Sequence, residues 1–200
     1  MKPRAFQAFA TLSPRKTRRA AFVAAAVTFA VSPFVSALTV VWDGGAAGTA
    51  TDIGTAANWV GDVLPSIVTP DVAEWNGTPS GALSLVYSNN AFAGGAGNGG
   101  VSLNIAGTQT SALNIDALAG NTNALRMNGL TVNAGAGAFS LGNGVDAFNL
   151  TLGGAPGTHT WVNNSSNPVT IASEVAWGLG GAGAHILSVG GTGTWNFNNP

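Results

Sequence analysis

Cysteine is absent from this 200-residue sequence, and charged residues make up only 8% of it. The absence of cysteine excludes a disulfide framework and any thiol chemistry. Charged residues usually account for about a quarter of a globular domain. Asn, Thr, Ser and Gly must therefore supply the polar surface of this chain, and ion pairs can contribute little to its stability.

The few charges are unevenly placed along the chain. Six of the seven basic residues lie within the first 19 positions, whereas all eight acidic residues follow residue 37. Arg126 is the one basic residue after residue 37, so that part of the chain, with one positive and eight negative residues, has a formal charge of −7. Binding to nucleic-acid phosphates requires clustered Lys and Arg. We therefore expect no nucleic-acid partner.

Residues 1–37 have the organisation of an export signal. A basic segment ends at Arg18-Arg19, an apolar run extends over Ala20–Val31, and small residues follow at Val35-Ser36-Ala37. This pattern predicts a signal peptide that is cleaved after Ala37. The apolar run is shorter than the ~20 residues that span a bilayer. We expect a secreted or cell-surface protein with no membrane span in its mature part; an uncleaved anchor is the alternative.

A three-residue pattern returns four times after residue 101. In each copy two apolar residues flank a hydroxyl residue, and the spacing between successive copies is nearly constant. Alternation with a period of two is typical of a β-strand that buries one face. The copies are Leu130-Thr131-Val132, Leu150-Thr151-Leu152, Val169-Thr170-Ile171 and Leu187-Ser188-Val189.

A period of about 20 residues without a helical pattern indicates a β-solenoid. We predict an all-β protein in which residues 101–200 form a right-handed parallel β-helix, the four copies stacking as one repeated strand. Glycine-rich and Asn-rich segments between the copies supply the turns. The alternative is an antiparallel β-sandwich, in which strands recur about every 8–12 residues.

Residues 38–100 are less regular, and we interpret them as an N-terminal capping module. Solenoids need an atypical first unit, because an open end exposes apolar core and unpaired strand edges. Trp42, Trp59 and Trp75 are the candidates to plug that end. The alternative is that these three residues contact carbohydrate, since flat indole rings stack on sugars. Either way, strands are expected at Leu38–Trp42, Asp71–Trp75 and Leu83–Tyr87.

Several motifs resemble those of bacterial autotransporter-associated β-strand repeat proteins. They are Trp42-Asp43-Gly44-Gly45, Asn58-Trp59, the segment Val72–Gly77, and the later Gly191–Trp195. The resemblance implies a right-handed β-helical passenger region displayed outside the cell, with no defined activity and no catalytic residues. Complete members of that family are far longer, and some end in a membrane barrel or anchor. We therefore expect a truncated passenger with an uncapped last coil.

The residues offer little to catalysis or to metal binding. The spacing of His159 and His185 does not match a period of about 20 residues, so they are not expected to pair. Asp116, Asp146 and Glu174 are isolated in sequence, and no catalytic residue is predicted. We expect no cofactor; the acids between residues 43 and 74 leave calcium as the alternative, although no EF-hand or calcium β-roll motif is present.

These observations predict an exported, non-catalytic structural protein. Its β-helical stalk would serve adhesion or contact with an envelope or matrix, with surface polysaccharide or another cell-surface component as partner. The first alternative is a carbohydrate-binding module that uses the three tryptophans. The second is a β-helical enzyme that degrades polysaccharides.

Overall fold

The structure, a computed structural model, describes residues 36–46, 51–88, 92, 99–120 and 124–198. The predicted signal peptide therefore lies outside the described residues, apart from Ser36 and Ala37. No helix in the described part of the chain is long and apolar enough to cross a membrane.

The described residues form thirteen strands and one short 3-10 helix, η1 (Ala56–Asn58). The strands are β1 (Thr39–Val41), β2 (Val72–Trp75), β3 (Leu83–Tyr87), β4 (Val101–Ile105), β5 (Leu113–Ala117), β6 (Ala124–Val132), β7 (Phe139–Leu141), β8 (Phe148–Leu152), β9 (Gly157–Asn163), β10 (Val169–Ile171), β11 (Val175–Leu179), β12 (His185–Gly191) and β13 (Trp195–Phe197).

Two sheets wrap the same core, and every strand pairs with a parallel neighbour. The first contains eight strands in the order β1-β2-β4-β6-β8-β11, with β9 and β12 branching from β6; the second is β13-β10-β7-β5-β3. The branch exists because β6 is long: its first half pairs with β8 and its second half with β9. The predicted all-β class and parallel β-helix are confirmed, with about four turns from β3 to β13.

The repeat is longer than the sequence pattern predicted. Thr131 pairs with Val162, and Ser140 pairs with Thr170, so each of these coils is about half as long again as the predicted period. Thr170 in turn pairs with Asn196 across a shorter coil. The four apolar-hydroxyl-apolar copies lie on β6, β8, β10 and β12. Among these four strands, β6 and β8 are the pair joined by backbone hydrogen bonds.

The predicted stacking of those four copies is therefore wrong, and the shape of the coil explains why. From β6 onward each coil has three strand sides: β8 and β11 continue the first half of β6, β9 and β12 continue its second half, and the second sheet forms the third side. Each side uses the same alternating pattern. The next copy along the chain therefore lies on a different side of the coil rather than directly above.

Alternation along each strand builds the core as predicted. In β4, Val101, Leu103 and Ile105 are at most 2% exposed, whereas Ser102 and Asn104 face outward and are partly exposed. Burying one large aliphatic side chain contributes about 1.5–3 kcal/mol. Because the same alternation recurs in β5, β7, β8 and β10, the apolar side chains form one continuous column inside the coils.

The three strands expected before residue 100 are present as β1, β2 and β3, and they already belong to the solenoid. β2 pairs with β4, and β3 pairs with β5, each in parallel. The two sheets thus continue across residue 100. What distinguishes this segment is the insertion between β1 and β2, where η1 leads to an isolated antiparallel bridge between Trp42 and Trp59.

Candidate functional site

The three tryptophans of the entry segment are packed against one another inside the first coil. Trp42 and Trp59 are 0% exposed and Trp75 is 1% exposed. The ring of Trp59 meets the other two edge to face, with centroid separations of 5.2 Å to Trp42 and 5.4 Å to Trp75. No indole face of these three residues is open to a sugar, so the predicted carbohydrate contact there does not hold; the packing fits a cap.

A buried amide keeps the inserted loop over these rings. Asn58 is 0% exposed; its Nδ2 donates to the carbonyl of Asp52 at 2.9 Å, and its Oδ1 accepts the backbone N–H of Ala46 at 2.9 Å. The indole N–H of Trp59 donates to the carbonyl of Ile53 at 2.9 Å. Hydrogen bonds from one loop therefore hold the aromatic cluster closed.

The acids of the entry segment cap loops. The two carboxylate oxygens of Asp71 accept the backbone N–H of Leu38 at 2.8 Å and of Ser66 at 2.9 Å. Asp52 accepts from Gly54 in the same way, and Asp43 from Gly45. Among the described residues, no group of three or more His, Asp or Glu side chains is placed to hold a metal ion.

Three acids that are isolated in sequence come together at one corner of the coil. Asp116 lies on β5 and is 6% exposed, and its pKa is raised first by burial and also by the negative charges of Asp146 and Glu174, against the hydrogen bond from Ala117. Both carboxylate oxygens of Glu174 are buried and have no hydrogen-bond partner among the described residues. Their positions in the sequence do not reveal this interaction, because it depends on the register of β5, β7 and β10 in neighbouring coils.

This acidic corner lies outside the groove on the second sheet. A groove of about 570 Å³ crosses the outer face of the second sheet, and its lining includes Asn114, Ser140, Asn143 and Thr170. None of the three carboxylates lines that groove. A carboxyl group with a raised pKa is a common feature of catalytic acids, and here that carboxyl group is not part of the groove lining.

A second groove, of about 500 Å³, crosses the outer face of the first sheet. Its polar lining is made of hydroxyl and amide side chains, it carries no charge, and it spans β1, β2, β4, β6 and β9. Such groups both donate and accept hydrogen bonds. The polar lining residues are Thr39, Ser102, Asn104, Asn128, Thr131, Thr158 and Thr160. We call this surface the hydroxyl-amide groove.

One side chain of the groove is fixed by a polar ladder that crosses three coils. Asn104 donates from Nδ2 to Oε2 of Glu74 at 2.7 Å and accepts at Oδ1 from Nδ2 of Asn133 at 2.8 Å. Asn133 also donates to the carbonyl of Ile105 at 3.0 Å. Asn104 is therefore pre-ordered, which lowers the entropy cost of any contact that this side chain makes.

The last coil exposes side chains that are buried one coil earlier. Leu150, Trp161 and Ile171 are 0% exposed and Leu152 is 6% exposed. Their register partners in the last coil are Trp177, Val189, Phe197 and Leu179, with exposures of 40%, 41%, 43% and 60%. We call these four residues the terminal face. An apolar face bounded by strand edges is a surface that normally packs against further structure.

A second aromatic group supports the terminal face. Trp161 lies beneath it, with ring centroids 5.6 Å from Trp177 and 6.2 Å from Trp195. Trp195 and Phe197 are parallel within 11° at 5.8 Å. Sequence reasoning concentrated on the entry tryptophans and missed this group, although Trp177 and Trp195 occupy the apolar positions of alternating segments.

The two histidines also come together, contrary to expectation. Nε2 of His159 lies 3.0 Å from Nδ1 of His185. Their spacing along the chain equals that of Thr170 and Asn196, which are register partners in adjacent coils. The expectation failed because it compared the histidine spacing with the shorter period read from the sequence pattern.

No protein-family model, curated protein or solved structure matches this chain. The resemblance to autotransporter-associated repeat proteins therefore stays a prediction from the motifs quoted above.

The pKa of Asp116 generates a prediction about stability. A raised pKa means that the folded chain favours the protonated carboxyl of Asp116. The contribution of this carboxyl to stability is therefore complete below the pKa of an unfolded Asp, about 3.9. It is lost as the pH rises through the pKa in the folded chain. Asp116→Asn keeps the oxygen that accepts the Ala117 N–H at 2.8 Å and removes the charge. We expect this variant to unfold at a higher temperature than the parent at pH 7.

The matched control is Asp62→Asn, at an exposed turn residue with a φ of 55° that asparagine also adopts. Thermal unfolding at pH 7 and at pH 3.5 measures both variants. The gain from Asp116→Asn should shrink at the lower pH, and Asp62→Asn should have little effect. A loss of stability in Asp116→Asn at pH 7, or a gain independent of pH, would contradict the assignment.

Proposed function

We propose that this protein is an exported, non-catalytic structural component of a cell surface, whose β-helix acts as a stiff stalk. The observation that carries the proposal is the stack of parallel strands around one apolar column, closed by the tryptophan cap at its N-terminal end. Such a stack resists bending because each coil is bonded to its neighbour along several sides. Contact with an envelope, a matrix or another cell would occur through the outer faces.

The low charge of the chain supports this role. The coils are joined mainly by backbone hydrogen bonds, which change little with the ionic strength or pH outside a cell. The basic-apolar-small order of residues 1–37 supports export. The resemblance of the Trp42–Gly45 and Val72–Gly77 segments to autotransporter-associated repeats is consistent with a passenger region, and we propose that membership here.

A second candidate function is binding of a neutral polysaccharide in the hydroxyl-amide groove. The groove crosses several coils, carries no charge and presents hydroxyl and amide groups that can pair with sugar hydroxyls. This candidate replaces the carbohydrate site at the buried tryptophans. In a glycan titration, Thr131→Val with Thr160→Val should weaken binding by roughly 30-fold, since two lost hydrogen bonds at about 1 kcal/mol each amount to about 2 kcal/mol. Thr170→Val, in the other groove, is the control; equal binding by all three proteins would exclude the groove.

Export is tested by expressing the full chain in a Gram-negative bacterium and sequencing the N-terminus of the product. We expect mature protein that begins at Leu38 and is recovered outside the cytoplasm. In Ala37→Asp the small residue before the cleavage site is lost, and the product should retain residues 1–37. Ala82→Asp, at an exposed position beyond the predicted signal, should be cleaved normally. Recovery of uncleaved parent chain in the cytoplasm would overturn the proposal.

A further inference from the structure

His159 and His185 form the centre of a continuous line of contacts between backbone carbonyls in different coils. Nδ1 of His159 lies 3.3 Å from the carbonyl oxygen of Asn128, in β6. Nε2 of His159 faces Nδ1 of His185 at 3.0 Å, and Nε2 of His185 lies 3.3 Å from the carbonyl oxygen of Gly181. All four ring nitrogens therefore take part in a close polar contact.

The two imidazoles meet edge to edge. Their ring planes are parallel within 10°, and their centroids are 5.2 Å apart. The distance between the ring centres is about equal to the 3.0 Å between the facing nitrogens plus the distance from each nitrogen to the centre of its own ring. This is possible only when both nitrogens lie on the line between the ring centres and the rings share nearly one plane. A proton on either nitrogen then points at the lone pair of the other.

Counting protons identifies the charge state that satisfies this line. A carbonyl oxygen accepts hydrogen bonds and cannot donate, so the two outer nitrogens must each carry a proton. The central contact needs one further proton. Three protons are required, whereas two neutral imidazoles carry two and two imidazolium ions carry four. Two neutral rings leave one contact without a proton, and two charged rings place N–H against N–H.

We propose that His159 and His185 bind one proton between them, as an imidazole–imidazolium pair that joins three successive coils. The link extends from β6 through β9 to the turn before β12. His185 donates from both ring nitrogens, to His159 and to Gly181, and neutral His159 donates from Nδ1 to Asn128. The pair is thus a pH-sensitive hydrogen-bonded link between the last coils.

The surroundings favour the charge on His185 rather than on His159. His159 is 2% exposed, whereas His185 is partly exposed to solvent. The pKa of His159 is lowered, first by burial and also by His185, while the hydrogen bond to Asn128 acts in the opposite direction. The ring of His159 therefore stays neutral. It accepts a hydrogen bond from His185 and donates one to the backbone carbonyl of Asn128.

Glycine makes the site possible. A Cβ built on Gly153 would overlap Cε1 of His159, so any side chain at residue 153 would displace the ring. Gly180, one coil later, must also lack a side chain, because a Cβ there would overlap the carbonyl oxygen of Gly153. The two glycines stack at the corner after β8 and β11 and leave the space that the histidines enter.

Arg126 is the charged group that faces this corner among the described residues. Its guanidinium donates to the carbonyl of Gly180 at 3.0 Å. The acids on the adjoining turns, Asp146 and Glu174, precede β8 and β11 and so lie at the opposite ends of these strands. A five-residue strand is about 16 Å long, which exceeds the screening length of ~8 Å at physiological salt. Arg126 therefore opposes the second protonation of the histidine pair.

The sign of the pH dependence follows from proton counts in the folded and unfolded chains. Two unfolded histidines hold one proton in total at about pH 6.5, their ordinary pKa. Above this pH the folded chain holds more protons than the unfolded chain, and its stability falls as the pH rises. Below it the unfolded chain holds more, and stability falls as the pH falls. The pair therefore gives maximal stability near pH 6.5.

The test combines ring-nitrogen NMR with unfolding of the full chain. In protein labelled with 15N-histidine at pH 6.5, we expect three protonated nitrogens among the four, with Nε2 of His159 bare. The urea midpoint, measured from pH 5.5 to 8, should be bell-shaped for the parent relative to the double variant His159→Gln with His185→Gln, which carries no titrating ring at either position. Ser188→Gln, at an exposed position on the same strand, should keep the parent profile.

Two results would overturn the proposal. One is a spectrum with one proton on each ring at pH 6.5 and independent titrations close to the ordinary histidine value. The other is a difference between the parent and the double variant that changes in one direction only across the range. Because the difference is taken between two chains with the same carboxyl groups, titration of Asp116 does not affect it.

Discussion

The pairing of each coil with a parallel neighbour is the constraint on which the rest of this structure depends. A parallel strand satisfies its backbone donors and acceptors only when it has partners, and its inward side chains are covered only when another coil lies above. In β4, β5 and β7, which have neighbours on both sides, the inward residues are at most 3% exposed. In the terminal face the corresponding residues are 40–60% exposed. Stability is therefore a property of the stack, and the two ends are the places where the constraint is least satisfied.

The two ends meet this constraint differently. At the N-terminal end an inserted loop covers the column with Trp42, Trp59 and Trp75, and the buried amide of Asn58 holds that loop in place. At the other end the aromatic residues of the last coil stack on Trp161 and remain open on their far side. The outer faces between the ends carry Thr, Ser and Asn, which need no charge to stay hydrated. A stalk with a polar exterior and a closed base is the arrangement that the proposed surface role requires.

Much of the fold could be predicted from the sequence because alternation reports directly which side chains face inward. The strands at residues 38–42, 71–75 and 83–87 and the parallel β-helix follow from that pattern. The length of the coil could not be predicted, because alternation does not identify the partner of a strand. Leu130-Thr131-Val132 and Leu150-Thr151-Leu152 read alike, yet they lie on different sides of the coil.

The same error hid the histidine pair and the acidic corner, which exist only because partners in adjacent coils lie farther apart along the chain than the predicted period. The burial of the entry tryptophans depends on a loop whose closure is set by Asn58. Nothing in the spacing of that loop reveals its closure, so the sequence left a cap and a sugar site as alternatives.

Cysteine cross-linking tests the central claim most directly, because the chain contains no cysteine of its own. Ser140 and Thr170 are register partners on β7 and β10, and both side chains face outward. Neighbouring strands are about 4.8 Å apart, within the Cα separation that a disulfide bridges. Ser140→Cys with Thr170→Cys should form an intramolecular disulfide under mild oxidation. Thr151→Cys with Thr170→Cys, the middle residues of two successive copies of the sequence pattern, should not. A disulfide in the second pair and none in the first would contradict the stacked coils described here.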